Sequence, residues 1–356
     1  MALTVLNVAY PFSPLKERTA GGAEQILLQL DRALVENNLR SIVIASRGSK
    51  VFGTLIETSF PDGKIDEKTR SSIEKEYKAK VEEVANQYKV NIIHYHGINF
   101  NRYFYVNSYI PSLITIHLPL SWYSDEIYSI QSQQVYFNCV SNHQFTSVKK
   151  KLNNLYLINN GVPENNGSVT NSPGKYALCM GRICPEKNFH EAFDAAKKAN
   201  IPLLLVGEVF PYEEHIKYYQ NTLLPRIDEK KYRFIGSASL FHRYKLLRNS
   251  RCLLVSSKAP ETSSLVAMEA LSCGTPVIAY TSGALKDIVE NGKNGFLVEN
   301  IQEMAEAIKN VSEISREYCK NTYEHYYSRE RMVKEYINTY NKIINKCKMQ
   351  ESNVSW

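Results

Sequence analysis

A chain of 356 residues is too long for one ordinary hydrophobic core, so two domains are its natural division. A composition of 44% hydrophobic and 22% charged residues is that of a globular protein and excludes pervasive disorder. No apolar run reaches the roughly 18–20 residues of a membrane span. The net charge of +7 is scattered, with no aromatic-basic platform, and argues against nucleic acid as a partner.

The opening residues, Met1-Ala2-Leu3-Thr4-Val5-Leu6-Asn7-Val8, lack a basic leader and a cleavage site and read as a first strand. The seven cysteines form no C-x-x-C pair, and Cys179, Cys252 and Cys273 lie in apolar or close-packed segments, which suits a reduced cytoplasm. Lys149-Lys150-Lys151 and the tail lysines Lys342, Lys346 and Lys348 are the nearest thing to basic clusters. Two readings stand for them: a solvated surface, or loose attraction to anionic headgroups at the inner membrane face or to a phosphorylated substrate.

In chain order, short apolar strands alternate with amphipathic helices. Strands are expected at 4–10, 42–46, 91–95, 112–116, 136–140 and 156–158, with helices at 22–37 and 66–88. The polar, turn-rich stretch 159–167 breaks the pattern and marks a linker, with a boundary near 160–173. The alternation then restarts, with strands at 176–180, 203–206, 233–235, 253–256 and 276–279, and about two closing helices, 303–311 and 329–346. Such β-α-β alternation indicates doubly wound parallel sheets. In these sheets ligands bind beyond the C-terminal ends of the strands.

The unusual residues fall in the loops after strands. Gly21-Gly22-Ala23-Glu24 opens the first helix, where paired glycines let backbone amides approach an anion; it is not the G-x-G-x-x-G of nicotinamide sites. Gly181-Arg182-Ile183-Cys184-Pro185-Glu186-Lys187-Asn188 follows the first strand of the second half. Arg182 and Lys187 suit a diphosphate, and Asn188 is placed to cap the next helix. Thr262, Ser263 and Ser264 precede an apolar helix and can cap it, leaving first-turn amides for an anion. Glu261 stands before that turn. Glu269 is the only charge in the apolar run 265–271, a buried carboxylate that needs a protein partner or a ligand.

His117 ends a strand of the first half and is placed for a ligand; His94 and His96 form an H-x-H pair without further ligands at metal spacing, so no metal is expected. Thr281-Ser282-Gly283-Ala284 is either a plain turn or a substrate-facing loop. Tyr103, Tyr105, Tyr109, Trp122, Tyr123 and Tyr128 form an aromatic zone, mostly for packing.

Glu261 and Glu269 with seven residues between them, followed by Ala270-Leu271-Ser272-Cys273-Gly274-Thr275-Pro276-Val277-Ile278-Ala279, resemble the signature of glycosyltransferase family 4, whose fold is GT-B. Gly21-Gly22-Ala23-Glu24, Asn160-Gly161-Val162-Pro163, Gly181-Arg182 with Glu186-Lys187, and Asn291-Gly292-Lys293-Asn294-Gly295-Phe296-Leu297-Val298 are similar to further elements of that family, in the same order. The resemblance implies two Rossmann-like domains facing a cleft. Residues 1–160 would form the acceptor side and 161–328 the nucleotide-sugar side, and a helix within 329–356 would cross back to the first domain.

It also implies a retaining, metal-independent hexosyltransferase of carbohydrate biosynthesis. Its donor would be a UDP- or GDP-sugar, without further cofactor, and its acceptor a hydroxyl on a glycan, a lipid-linked molecule or a small molecule. Gly21, Gly22, Gly181, Arg182 and Lys187 would meet the diphosphate. Glu269 would accept from the ribose, and Glu261 from the sugar hydroxyls. Ser263, Ser264 and Leu265 would touch sugar and phosphate, and His117 would lie near the transferred sugar. Many family members carry Gly-Phe-Gly where this chain has Thr262-Ser263-Ser264, so the resemblance does not carry the identity of the sugar over.

Two cations and helix amides can stabilise the charge on a departing diphosphate, and no residue is marked as a covalent nucleophile. Alternatives are another GT-B activity, such as a nucleotide-sugar epimerase or a phosphorylase, and a non-catalytic sugar-nucleotide-binding protein. The loops 11–20, 51–64, 99–109 and 118–128 are expected to read the acceptor.

Overall fold

Two runs of short, largely buried strands divide the chain into two compact units, residues 1–159 with 332–356, and residues 160–331. The computed structural model describes residues 3–354 apart from 17–20, 62, 64, 106, 108, 131, 150, 151, 153, 166, 168 and 170–173. Lys150 and Lys151 of the basic run lie outside the described residues, as do parts of the expected loops 11–20, 51–64 and 99–109.

In the first unit the elements run β1 (Thr4–Val8), α1 (Gly22–Glu36), β2 (Arg40–Ser46), β3 (Thr54–Thr58), α2 (Glu67–Gln87), β4 (Ile92–Tyr95), β5 (Ser112–Ile116), β6 (Val135–Cys139), α3 (Asn142–Thr146) and β7 (Leu155–Leu157). Among the described residues they build a parallel sheet in the order β3-β2-β1-β4-β5-β6-β7. Every residue of β1, β4, β5 and β6 is buried, as strands covered on both faces must be.

β3 corrects the expectation of a plain loop at 51–64. It is an edge strand, Thr-Leu-Ile-Glu-Thr, with one face half exposed, so its sequence carries little apolar signal. Its start is held by Asp31 of α1, fully buried, which accepts from the Phe52 amide at 2.6 Å and from the Ser41 hydroxyl at 2.6 Å.

The second unit runs β8 (Ala177–Met180), α4 (Phe189–Ala199), β9 (Leu203–Val206), α5 (Glu213–Tyr218), β10 (Tyr232–Gly236), α6 (Leu240–Asn249), β11 (Cys252–Val255), α7 (Leu265–Ser272), β12 (Val277–Tyr280), α8 (Leu285–Ile288), β13 (Gly295–Val298), α9 (Ile301–Asn310) and α10 (Arg316–Tyr326). Its sheet is parallel too, in the order β10-β9-β8-β11-β12-β13.

α10 is a further helix beyond the two expected at the chain end. Its sequence is polar, and what anchors it is buried Cys319 and Tyr323 together with Arg316. The Arg316 guanidinium donates to the carbonyls of Ser250 at 3.0 Å and Arg248 at 2.9 Å. A last helix, α11 (Arg329–Val354), begins in the second unit and from Met332 onward belongs to the first. There Tyr336 and Tyr340, both fully buried, bond to Thr115, Asn138 and His94 of the sheet. No helix among the described residues is long and apolar enough to cross a membrane.

Candidate active site

In the second unit β8 lies between β9 and β11, and the strand order reverses there. A ligand in such a sheet sits beyond the carboxyl ends of the two strands at the reversal. The loop after β8 starts at Gly181, whose φ of +150° suits glycine, passes exposed Arg182 and forms a tight turn over Pro185–Lys187. The loop after β11 carries Ser256, Ser257 and Glu261.

The two loops are tied together. The Ser256 hydroxyl donates to the Lys187 carbonyl at 2.9 Å, and Lys187 Nζ donates to Glu261 Oε1 at 2.5 Å. The Ser257 hydroxyl donates to the same oxygen at 2.6 Å. The lysine and glutamate side chains are only 25% and 12% exposed, so the pair is partly shielded from water. The structure therefore brings Lys187 and Glu261 into direct contact.

The stretch Thr281-Ser282-Gly283-Ala284, after β12, seats Glu261 from behind. The Ala284 amide donates to the Glu261 carbonyl at 2.7 Å. Gly283 has φ +56°, and a Cβ there would overlap the backbone of Glu261. Only glycine combines that conformation with that approach.

α7 begins at Leu265, with Ser264 in the capping position. Neither Ser264 nor Asn188, which holds the same position before α4 with φ 52°, makes the side-chain cap expected of it. The Ser263 and Ser264 hydroxyl oxygens are buried and have no hydrogen-bond partner among the described residues. An unmet buried hydroxyl costs about 1–3 kcal/mol. The Ala267 amide already donates to the Ser264 carbonyl at 3.1 Å; the Leu265 and Val266 amides before it join the two hydroxyls as donors a ligand could use, a few residues along the chain from Glu261.

Glu269 lies inside α7 and is 3% exposed. Its protein partner is Arg243 of α6, whose Nη2 donates to Oε2 at 2.5 Å. Burial pushes the Glu269 carboxyl up, and the Arg243 charge and hydrogen bond pull it back. Glu269 and Glu261 thus hold separate cations, Arg243 and Lys187.

The first unit contains the other expected residues. Gly21 and Gly22 stand at the start of α1, Gly21 in the capping position with extended backbone. The Glu24 carboxylate folds back over Gly21, so that a side chain there would collide with it. An acidic group over a helix N-terminus is favourable.

His117 directly follows β5 and is 9% exposed. Its amide donates to the Tyr123 hydroxyl at 3.1 Å, and its Nε2 lies 3.0 Å from His96 Nδ1. Burial drops the His117 imidazole to about 3. His94 bonds to Tyr340 at 2.7 Å and to Thr115 at 2.7 Å, and burial holds His94 and His96 well below the ordinary histidine range. The H-x-H pair is thus joined to His117 in one neutral cluster. In the aromatic zone Tyr103 and Tyr123 are buried, whereas Tyr109 and Trp122 are 77% and 61% exposed.

Reading the sequence missed Arg243, Ser256 and Ser257. Arg243 sits on a largely polar helix 26 residues before Glu269, where an arginine carries no local mark. Ser256 and Ser257 could have been found as the first polar residues after a buried strand.

Residues 164–329 match the family model described as Glycosyl transferases group 1. A probable sucrose-phosphate synthase of Thermosipho melanesiensis is 31% identical over 171 residues, 45% of this chain and 40% of that protein. An uncharacterized glycosyltransferase of Methanocaldococcus jannaschii is 29% identical over 164 residues, 45% of this chain and 44% of that protein. The chain thus spans less than half the length of either curated relative. Among solved structures, a glycosyltransferase from Rickettsia africae superposes with a TM-score of 0.74 at 17% identity, covering 96% of this chain and 99% of that one. Anabaena HepE, in complex with UDP and glucose, superposes at 0.72 and 17% identity, covering 96% and 100%. The fold is that of GT-B glycosyltransferases, two parallel-sheet Rossmann-like domains.

Proposed function

We propose that this chain, which carries a group 1 glycosyltransferase domain over residues 164–329, is a retaining hexosyltransferase that moves a sugar from a nucleoside diphosphate sugar to a hydroxyl acceptor. The observation that carries this reading is the Lys187–Glu261 pair at the strand reversal of the second unit, beside two buried hydroxyls without partners. In the absence of donor the two charges neutralise each other. An arriving diphosphate competes for Lys187, and the released Glu261 carboxylate accepts from the sugar hydroxyls. Arg182 and the first-turn amides of α7 add to the positive field on the leaving oxygen.

Four features fit that chemistry. The leaving diphosphate gains charge as the glycosidic bond breaks, and fixed cations meet it where it forms, a part a metal ion plays elsewhere. Glu269, oriented by Arg243, accepts from the ribose. Ser263 and Ser264, with the Leu265 amide, face the sugar and phosphate. His117, in the first unit and neutral at physiological pH, can accept or donate a hydrogen bond to a sugar hydroxyl without adding charge. The acceptor side falls to the first unit, which also carries Gly21 and Gly22 as an anion-binding helix start.

HepE is also known in complex with UDP-glucose, which makes that the first donor to try. The test is slow hydrolysis of UDP- and GDP-sugars by the purified chain in the presence of chelator, which needs no acceptor. Release of nucleoside diphosphate from one donor, lost in Lys187→Ala, is expected. No turnover of any donor alongside tight donor binding would favour a sugar-nucleotide-binding protein instead.

A further inference from the structure

Between Arg182 and Lys187, the two cations given to the diphosphate, lie Cys184 and Glu186, which the proposed transfer does not use. The structure brings both to His215 of α5: one sulfur, one carboxylate oxygen and one imidazole nitrogen lie within 4.8 Å of one another. Cys184 is 2% exposed; its thiol reaches the Arg182 carbonyl at 3.6 Å and is hydrogen-bonded to the Glu186 carboxylate. The Nδ1 atom of His215 is buried and has no hydrogen-bond partner among the described residues. The His215 ring is held edge-on by Tyr212 at 5.1 Å and Phe210 at 6.5 Å between centroids.

We propose that Cys184, Glu186 and His215 form a binding site for a divalent cation of borderline softness, zinc in the first instance. The donor set selects the ion. A thiolate with an imidazole and one carboxylate suits zinc, whereas calcium and magnesium require oxygen ligands throughout. Metal bonds of about 2.0–2.3 Å place tetrahedral ligands roughly 3.3–3.8 Å apart, so a small closure of the three side chains brings them to three corners of a tetrahedron, with a water at the fourth. On binding, the Cys184 sulfur forms a bond to the metal and its proton passes to solvent. The resulting thiolate and the Glu186 carboxylate balance the two positive charges of the ion.

Burial and the neighbouring carboxylate both push the Cys184 thiol up, so without a cation it stays protonated. A bound ion reverses that balance and gives the orphaned His215 nitrogen a partner. Its structural consequence is a tie between the turn Pro185–Lys187 and α5. The ion would fix the loop that carries Arg182 and Lys187 and would take no part in the transfer.

The experiment uses the full chain, stripped by chelator and titrated with cobalt(II), then with zinc(II). One equivalent of cobalt should bind with thiolate-to-cobalt charge-transfer absorption, which zinc then abolishes. Cys184→Ser should remove that absorption. His215→Gln should weaken binding by at least about 100-fold, the upper range for losing even an indirect partner of a metal ligand. His325→Gln, at an exposed position, should change neither. Circular dichroism checks that each variant is folded, and His215→Gln keeps the test decisive if Cys184→Ser is not. Absence of a thiolate band, its persistence in folded Cys184→Ser, or unchanged affinity in His215→Gln would overturn the site. No donor or acceptor is present, so this outcome is separate from that of the transferase reading.

Discussion

Two polar clusters, one in each unit, are buried in opposite ways. In the first unit, His94 is hydrogen-bonded to Tyr340 and, through Thr115, linked to Tyr336, while His96 bonds to His117; the two sets meet where the His94 and His96 rings lie 3.9 Å apart, and burial keeps the histidines neutral. The second unit holds charges, Lys187 against Glu261 and Arg243 against Glu269, each pair at 2.5 Å and each glutamate shielded. A cluster kept neutral by desolvation responds to pH. A pair kept charged responds to removal of one partner, because the other is left uncompensated. The contrast separates a neutral cluster, which acid tests, from charged pairs that the proposed function has exchanging with a ligand.

Lys187→Ala tests the exchangeable pair and should have the largest effect. Losing a fixed donor to a developing anion costs about 10²–10³ in turnover, and here the loss also leaves Glu261 without its cation. Turnover should fall by at least that factor while donor binding falls less. Near-normal transfer would remove Lys187 from the leaving-group role.

Arg243→Leu tests the second pair. Breaking a fully buried pair costs about 3–5 kcal/mol. The Arg243 side chain is 27% exposed, which reduces the expected loss to roughly 2–4 kcal/mol. It should appear as a lower thermal midpoint of the second unit. Glu269→Gln, which removes the charge but keeps the shape, should restore part of that stability in the Arg243→Leu background. It should also weaken binding of the free nucleoside diphosphate; unchanged affinity would sink the ribose assignment.

Acid tests the neutral cluster. The folded His117 titrates near 3, against about 6.5 when unfolded, and His94 and His96 shift the same way. Below about 6.5 the unfolded chain takes up protons that the folded unit refuses. The stabilisation is complete above that value and is lost as the pH falls toward 3, at about 1.4 kcal/mol per pH unit for each histidine. Thermal midpoints from about pH 7 to 5 should therefore drop more steeply in the wild type than in folded His96→Gln, which has one fewer such group. Equal slopes would place the acid sensitivity elsewhere.

How much was legible follows from which physical signal each feature leaves. The wholly buried strands β1, β5 and β8 read directly as apolar runs between turn residues. The edge strand β3 and the polar helix α10 did not, because each shows its neighbours too few apolar side chains to set a period. Lys187, Glu261 and Glu269 stood out by position and isolation. Their pairings did not, since Lys187 meets Glu261 across 74 residues and Arg243 meets Glu269 across 26. Nothing local in a sequence encodes which distant cation meets which carboxylate; the strand order that places β8 beside β11 does.

The smallest predicted effect tests whether burial or distance makes these pairs matter. Arg32 and Glu36 of α1 are 2.7 Å apart, nearly the separation of Lys187 and Glu261, but their side chains are 53% and 41% exposed. Water and salt screen such a pair, and holding two long side chains in place costs entropy, so pairs four apart on a helix contribute about 0.3–0.5 kcal/mol. Arg32 also covers the Phe52 ring at 5.3 Å, an exposed cation–π contact of about 0.5–1 kcal/mol. Arg32→Lys retains a charge for both partners and should leave the thermal midpoint nearly unchanged, while Arg32→Ala should lower it only slightly. A loss in Arg32→Ala as large as that of Arg243→Leu would mean that contact distance, not exclusion of water, sets the strength of ion pairs in this chain.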